Sequence, residues 1–344
     1  MKAAPPCATR VAVLGDGGWG TAIATLLASK GIDVAIWGAF PDYLDEVRRS
    51  RENRKFLPGV KLSEKIALEA DAARACAGAQ LVVVAIPTKF MRPTLEKLSP
   101  ALRRDVPYCS VAKGVEEDRL RRGTEIIRDV LGRVTVGILS GPSHAEEVAR
   151  GRPTAVVAAA EDASCAALVQ GTFLAPAFRV YTCADTIGVE IAGAVKNVIA
   201  IAAGICDGLG FGDNSKAALV TRGLAEMTRF GVKLGARPDT FRGLAGVGDL
   251  MTTCYSSHSR NRGFGERVGR GETREQIETS MEMVAEGVRT ARGVLAIARD
   301  RGVEMPIAAE VCAMLFDRKS PKKAVVDLMT RPPRSEREDF DTGA

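Results

Sequence analysis

The sequence predicts an α/β doubly wound N-terminal domain followed by an all-α C-terminal domain. Three observations predict it. In the first half, short β-branched runs alternate with helical segments, the pattern of parallel βαβ units. After about Asp185 the strand signals stop and glycine-punctuated helical segments follow. At 344 residues, with 46% apolar residues, the chain is long enough for two ordinary cores.

Taken in order, Met1–Arg10 is too short and too polar for a secretory segment and reads as a short disordered leader. Strands are predicted at 11–14, 33–37, 81–86, 108–112, 134–139, 155–159 and 178–181, with a helix over 21–29 after the first. Helices are predicted at 187–207, 214–234, 259–269, 273–279, 286–301, 306–317 and 320–330. The domains are then 1–185 and 186–331. Residues 332–344 have too few apolar groups to offset chain entropy and read as a disordered tail.

Composition excludes several classes. The net charge of +6 is mild and its basic residues are scattered, without the interleaved aromatics of a nucleic-acid surface. No apolar run approaches the roughly 20 residues of a membrane span; the longest, Val195–Ile205, is interrupted by Lys196, Asn197 and Gly204. The eight cysteines stand singly, with no Cys-x-x-Cys and no Cys/His cluster, so no metal site is expected and reduced thiols in a cytoplasmic setting fit best.

Gly15-Asp16-Gly17-Gly18-Trp19-Gly20 follows a predicted strand and opens a helix, the context that gives a G-x-G-x-x-G its meaning. Gly15 permits the tight turn, Gly17 lets the backbone approach a pyrophosphate, Gly20 lets helix and strand pack closely, and the helix N-terminus attracts the phosphate charge. The first domain is thus expected to be of Rossmann type, with NAD or NADP as cofactor; the alternative is glycines that serve only to make the turn. Asp33 has nearly the spacing of the ribose-binding acid but lies at the start of the second strand. The ribose belongs at that strand's end, where Trp37-Gly38-Ala39-Phe40 is neither acidic nor basic, so the choice between NAD and NADP stays open.

Other candidates lie where strands end. Lys113 follows the strand ending at Ala112, and Ser143-x-x-Glu146 reads as a capping box behind Pro142 whose helix N-terminus faces an anion or merely caps. Lys196 is nearly the only charge in the apolar helix Glu190–Cys206. A buried ammonium has its pKa lowered and becomes a base near neutral pH; the alternative is a lysine that snorkels to the surface. Glycine-rich segments at 207–219 and 243–250 precede Ser259-Arg260-Asn261-Arg262, donors suited to a phosphate monoester or simply an exposed basic loop. His144 and His258 lack the neighbours of a metal or triad site, and Cys254 reads as packing.

From about Val11 to Arg331 the chain resembles the bacterial-type NAD(P)-dependent glycerol-3-phosphate dehydrogenases. The resemblance rests on 15–21, Asn53–Gly59, Ala112-Lys113-Gly114, Gly141–Ala145, Lys196-Asn197, 208–219, Gly246–Leu250 and Ser259–Arg262. It implies reversible hydride transfer between a nicotinamide and C2 of dihydroxyacetone phosphate, giving sn-glycerol 3-phosphate for phospholipid synthesis. By the same resemblance Lys196 is the proton acceptor, Asp249 its partner, and Lys113 touches both substrate and cofactor. Gly141 and Ser143 are substrate contacts, and Ser259, Arg260 and Asn261 form the phosphate site. Gly18, Trp19, Ala145, Arg260, Val284 and Glu286 fall on cofactor positions. The family usually has serine at Gly18 and often a basic residue or histidine at Ala39, so no NADP preference is read. A homodimer is implied; neither a nucleic-acid partner nor a membrane span is. A different hydroxy-acid or sugar-acid dehydrogenase of the same plan, or a dinucleotide-binding regulator without catalysis, is the competing reading.

Overall fold

The computed structural model describes residues 4–117, 119–281, 285–333 and 335–336. It comprises two compact units, the first made of 1–112 and 123–186, the second of 113–122 and 187–344.

The first unit is built on one sheet of eight strands: Arg10–Leu14 (β1), Asp33–Trp37 (β2), Ile66–Glu69 (β3), Leu81–Val84 (β4), Tyr108–Ser110 (β5), Val136–Ser140 (β6), Thr154–Ala160 (β7) and Phe178–Cys183 (β8). Their order is β3-β2-β1-β4-β5-β6-β7-β8, so strand order reverses direction between β1 and β4, where open α/β sheets bind ligands. The helices are Gly18–Ser29 (α1), Pro41–Ser50 (α2), Ala72–Cys76 (α3), Thr88–Leu98 (α4), Gly123–Leu131 (α5), Ala145–Ala149 (α6) and Ala163–Phe173 (α7). Alternate residues of the central strands feed opposite layers, with Val11, Val13, Leu81 and Val83 in one and Ala12, Leu14, Val82 and Val84 in the other. Both faces are covered, which is why these strands are apolar throughout.

Three sequence expectations change here. β3 carries no strand signal because Ile66-Ala-Leu-Glu69 is a short edge strand rich in helix formers, made extended by pairing with β2. β6 and β7 pair antiparallel. The helix between them, α6, has only five residues and packs its Ala145 with Ala22 of α1, so the chain re-enters the sheet from the end it left. The leader is not loose from Pro5 onward. Ala8 is buried and its N–H donates to Thr172 Oγ1 at 3.0 Å, and a Cβ on Gly171 would stand 2.1 Å from the Pro6 carbonyl oxygen. The predicted tail lies largely outside the described residues.

The second unit contains Thr186–Gly208 (α8), Asp213–Lys233 (α9), Pro238–Phe241 (α10), a π turn at Leu244–Gly248, Asp249–Tyr255 (α11), Arg260–Gly269 (α12), Arg274–Ser280 (α13), Glu286–Asp300 (α14), Pro306–Phe316 (α15) and Pro321–Met329 (α16). The sequence did not mark α10, the π turn or α11, because Gly243, Gly246 and Gly248 mask helical periodicity. Gly246 is needed: a Cβ there would stand 2.1 Å from the Phe241 carbonyl oxygen.

α8 is the axis of this unit. Its length and composition alone would let it cross a membrane, but its most apolar window is entirely buried in the core, as in the core helix of a globular unit. α12 crosses it at backbone contact. A Cβ on Gly204 would stand 1.9 Å from the Arg262 carbonyl oxygen, and one on Gly265 2.0 Å from that of Ile201. Gly208 and Gly269 continue the same seam one turn further along each helix. At its end Asp207 ties three helices together, accepting from Lys216 of α9 at 2.9 Å and from Arg262 of α12 at 2.6 Å.

Candidate active site

In the first unit, the glycine loop turns from β1 into α1. Gly15 has φ +118°, and a Cβ there would stand 2.7 Å from the Ala85 carbonyl oxygen. A Cβ on Gly20 would stand 2.1 Å from the Gly15 carbonyl oxygen, which is the close strand–helix packing expected of it. Gly17 has nothing within 4 Å of its Cβ position, so that side of the loop is open to a ligand. α1 begins at Gly18, earlier than the sequence indicated, so Gly18, Trp19 and Gly20 form its first turn.

These residues fit a dinucleotide. Along the C-terminal edge of the strands, Asp16 Oδ2, Trp19 Nε1, Thr88 Oγ1, Ser110 Oγ and Ser140 Oγ are buried without a hydrogen-bond partner among the described residues. Buried polar atoms are normally bonded, and a row of orphans on a ligand-binding edge marks groups awaiting a partner. Ala39 is exposed just beyond β2, whereas Asp33, at the opposite end of that strand, is ion-paired with Arg10.

Gly141 follows β6 with φ +137°, and a Cβ there would stand 3.0 Å from the Val156 Cα. The expected capping box is absent: the N-cap of α6 is His144, without a side-chain cap bond, and Ser143 Oγ donates to the Gly141 carbonyl oxygen at 2.8 Å. Pro142 and Gly141 bend the chain so that the helix starts later than the sequence motif suggests. Ala145 is the first, buried residue of α6.

In the second unit, Lys196 is buried from the middle of α8, so it does not snorkel. Its Nζ donates to Asp249 Oδ1 at 2.6 Å and to Thr253 Oγ1 at 2.6 Å. Lys113 Nζ donates to the other carboxylate oxygen, Asp249 Oδ2, at 2.8 Å. Asp249 and Thr253 are one turn apart on α11 and so present to the same side. Asn197, next to Lys196, donates to the Lys113 main-chain oxygen at 2.9 Å and fixes that lysine's backbone.

Burial is the chief cause that lowers the Lys196 pKa, to about 8; Asp249 opposes it and Lys113 adds to it. Burial works in the other direction on Asp249, but the two ammonium groups outweigh it and hold the carboxyl below its usual range. An ammonium has three donors, and Asp249 and Thr253 engage two of those of Lys196. The arrangement suits proton exchange with one further oxygen.

α12 starts in the Ser259-Arg260-Asn261 loop. Ser259 is its N-cap, accepting from the Arg262 N–H at 3.2 Å, and Arg260 is the half-buried first helical residue. Asn261 Oδ1 accepts from the Gly287 N–H at 2.9 Å, linking this loop to the start of α14, where Glu286 is the first residue. Val284 lies outside the described residues. Cys254 is fully buried in the core and burial pushes its thiol up to about 12, so it packs and does not react.

Thr253 escaped sequence reasoning, although Asp249-x-x-x-Thr253 has the one-turn spacing that would have found it. Asn53 escaped it too, as a site residue: its Nδ2 donates at 2.7 Å to the Asp16 carbonyl oxygen and at 2.7 Å to Thr21 Oγ1, bracing the glycine loop.

Residues 10–166 match the family model for the NAD-dependent glycerol-3-phosphate dehydrogenase N-terminus, and 185–326 the model for its C-terminus. The chain is 48% identical over 330 residues to glycerol-3-phosphate dehydrogenase [NAD(P)+] of Chlorobium phaeobacteroides strain BS1, covering 95% of this chain and 99% of that one. It is 48% identical over 332 residues to the enzyme of the same name from Citrifermentans bemidjiense, covering 96% and 99%. Among solved structures, glycerol-3-phosphate dehydrogenase of Coxiella burnetii superposes with a TM-score of 0.90 at 35% identity, covering 94% of this chain and 99% of that one. Matched by both family models over most of its length and 48% identical to relatives of that name, the chain belongs to the NAD(P)-dependent glycerol-3-phosphate dehydrogenases.

Proposed function

We propose that this chain catalyses the reversible oxidation of sn-glycerol 3-phosphate to dihydroxyacetone phosphate, with Lys196 as the proton-transfer residue. The observation that carries the reading is Lys196 itself, buried, lowered to about 8, and bonded at 2.6 Å to Asp249 and Thr253. A bound nicotinamide ring supplies or accepts the hydride at C2. In oxidation, neutral Lys196 takes the C2 hydroxyl proton; in reduction, its ammonium returns that proton to the carbonyl oxygen. The charged lysine stabilises the alkoxide developing at C2, and because it is already held by Asp249 and Thr253 it needs no reorganisation to do so.

Asp249 keeps the two ammonium groups of Lys113 and Lys196 together, which without it would repel each other. Ser259, Arg260 and Asn261 hold the substrate phosphate. That remote grip orients the reacting carbon, so it contributes to rate as well as affinity. Gly15, Gly17, Gly18, Trp19 and Gly20 hold the dinucleotide pyrophosphate at the start of α1. The family resemblance and eight free thiols support a cytoplasmic homodimer, its assembly to be checked by light scattering.

The test is steady-state oxidation of NADH and NADPH at 340 nm with dihydroxyacetone phosphate, using unphosphorylated dihydroxyacetone as control. Phosphate-dependent turnover is the expected outcome. No turnover in folded, dinucleotide-binding protein would favour the regulator, and turnover indifferent to the phosphate would favour another dehydrogenase of the same plan.

A further inference from the structure

The acidic residue that reads the adenosine ribose of NAD normally stands at the C-terminal end of β2. Here that place is Gly38-Ala39-Phe40-Pro41, with neither a carboxylate nor a cation. A carboxylate reaches it from elsewhere. Asp16, inside the glycine loop, extends its side chain over Gly38, so that a Cβ on Gly38 would stand 2.6 Å from Asp16 Oδ2 and 2.8 Å from its Cγ. Glycine at 38 is what makes room for it.

The loop that carries it is braced. Asn53 fixes the Asp16 main chain at 2.7 Å, and Asn53 Oδ1 in turn accepts from Tyr43 Oη at 2.6 Å and from the Phe56 N–H at 3.1 Å. Asp16 Oδ2 is buried and has no hydrogen-bond partner among the described residues. Burial raises the carboxyl's pKa; its own backbone N–H and the charge of Lys55 work against that rise. A buried carboxylate oxygen without a donor is costly, and a hydroxyl that donates to it removes the cost. A 2'-phosphate has the opposite effect, since it brings further negative charge to a buried carboxylate.

We propose that Asp16 receives the ribose 2'-hydroxyl and makes this chain select NAD(H) over NADP(H). The proposal rests on the dehydrogenase reading and goes beyond it by assigning the cofactor preference and the residue that sets it. It also accounts for Ala39: with the carboxylate supplied from the glycine loop, the end of β2 needs no acid of its own.

The full-length protein is titrated separately with NADH and NADPH, following nicotinamide fluorescence at equilibrium, and the kcat/KM for each is measured with dihydroxyacetone phosphate. NADH is expected to bind at least about tenfold tighter, the effect of one charge-assisted hydrogen bond. Asp16→Asn and Asp16→Ala should bring the two affinities to within about threefold, by weakening NADH and strengthening NADPH. Gly38→Ala, which displaces the carboxyl while leaving it in the chain, should do the same. Melting curves establish that each variant is folded. Equal affinities or an NADPH preference in the unaltered protein overturn the proposal, as does an unchanged ratio in the folded variants. Binding requires no turnover, so selective NADH binding without dihydroxyacetone phosphate reduction would sink the enzymatic reading alone. Turnover with both cofactors at equal efficiency would sink this proposal alone.

Discussion

Raising the pH from 7 to 9.5 carries Lys196 from ammonium to amine, and the two directions of the reaction should respond with opposite signs. With its pKa lowered to about 8, chiefly by burial, about one Lys196 in ten is neutral at pH 7. At the ordinary value of 10.5 the neutral fraction would be about one in three thousand, so the site enriches the base about 300-fold. Oxidation needs the amine; its kcat/KM should rise about tenfold per pH unit towards about 8 and then level. Reduction needs the ammonium, and should be flat below about 8 and fall above it. Both are measured at 340 nm with saturating dinucleotide. Two variants sharpen the test. Lys113→Met removes a repelling charge and leaves Asp249 to Lys196 alone, which moves the midpoint up. Thr253→Val removes an acceptor that holds the ammonium, which moves it down. Profiles with the same sign in both directions, or midpoints that the two variants fail to separate, would refute the assignment of Lys196 as acid and base.

Lys196→Ala should lower kcat about a thousandfold while NADH affinity, measured by fluorescence, stays within about twofold. Arg260→Ala should raise the KM for dihydroxyacetone phosphate about 10- to 100-fold, the loss of a charge-assisted phosphate contact, and an unchanged KM would remove it from the phosphate site. Gly204→Ala drives a methyl group into the Arg262 carbonyl 1.9 Å away and should cost about 1–3 kcal/mol in urea unfolding. Glu226 is buried and accepts from the Ile307 N–H at 2.6 Å, and its pKa is raised by burial to about 7. The folded chain therefore retains a proton that the unfolded chain releases between about 4.5 and 7, so this group's contribution to stability falls as pH rises through that window, by about 3 kcal/mol at most. Glu226→Gln should flatten that dependence, and a slope unaltered between pH 5 and 8 would assign it to other groups.

Periodicity and glycine placement made most of the fold legible. Val11–Leu14 and Leu81–Val84 announce themselves because they are buried on both faces, and α8 because it is apolar on all sides. Ile66–Glu69 was silent because its extended form comes from pairing at a sheet edge, a tertiary cause that local propensity does not carry. Asp249–Tyr255 was hidden for a related reason: Gly246 is required by backbone contact, and with Gly243 and Gly248 it erases the helical signal just where the helix that carries Asp249 begins. Within the site, Lys196 was legible as a charge in the wrong solvent. Its bond to Thr253 was not, since that needs α11 against α8. Asp16 shows a deeper limit. Spacing directs the eye to the end of β2 for an acid, whereas the loop that carries Asp16 is folded over that same place.

Because α8 and α12 meet main chain to main chain, their separation cannot be adjusted through side-chain size and works as a fixed gauge. Lys196 rides on one helix, about 12 Å along the axis from the crossing at Gly204, and Arg260 stands at the first turn of the other. On the function proposed above, the reach a substrate needs between Lys196 and the phosphate loop at Arg260 is therefore set by the contact of two main chains. If Ser259 and Asn261 hold the phosphate as proposed, changes there alter how firmly it is gripped. A methyl group inserted in the seam, at Gly204, Gly208, Gly265 or Gly269, would on the same reading alter how long a molecule fits.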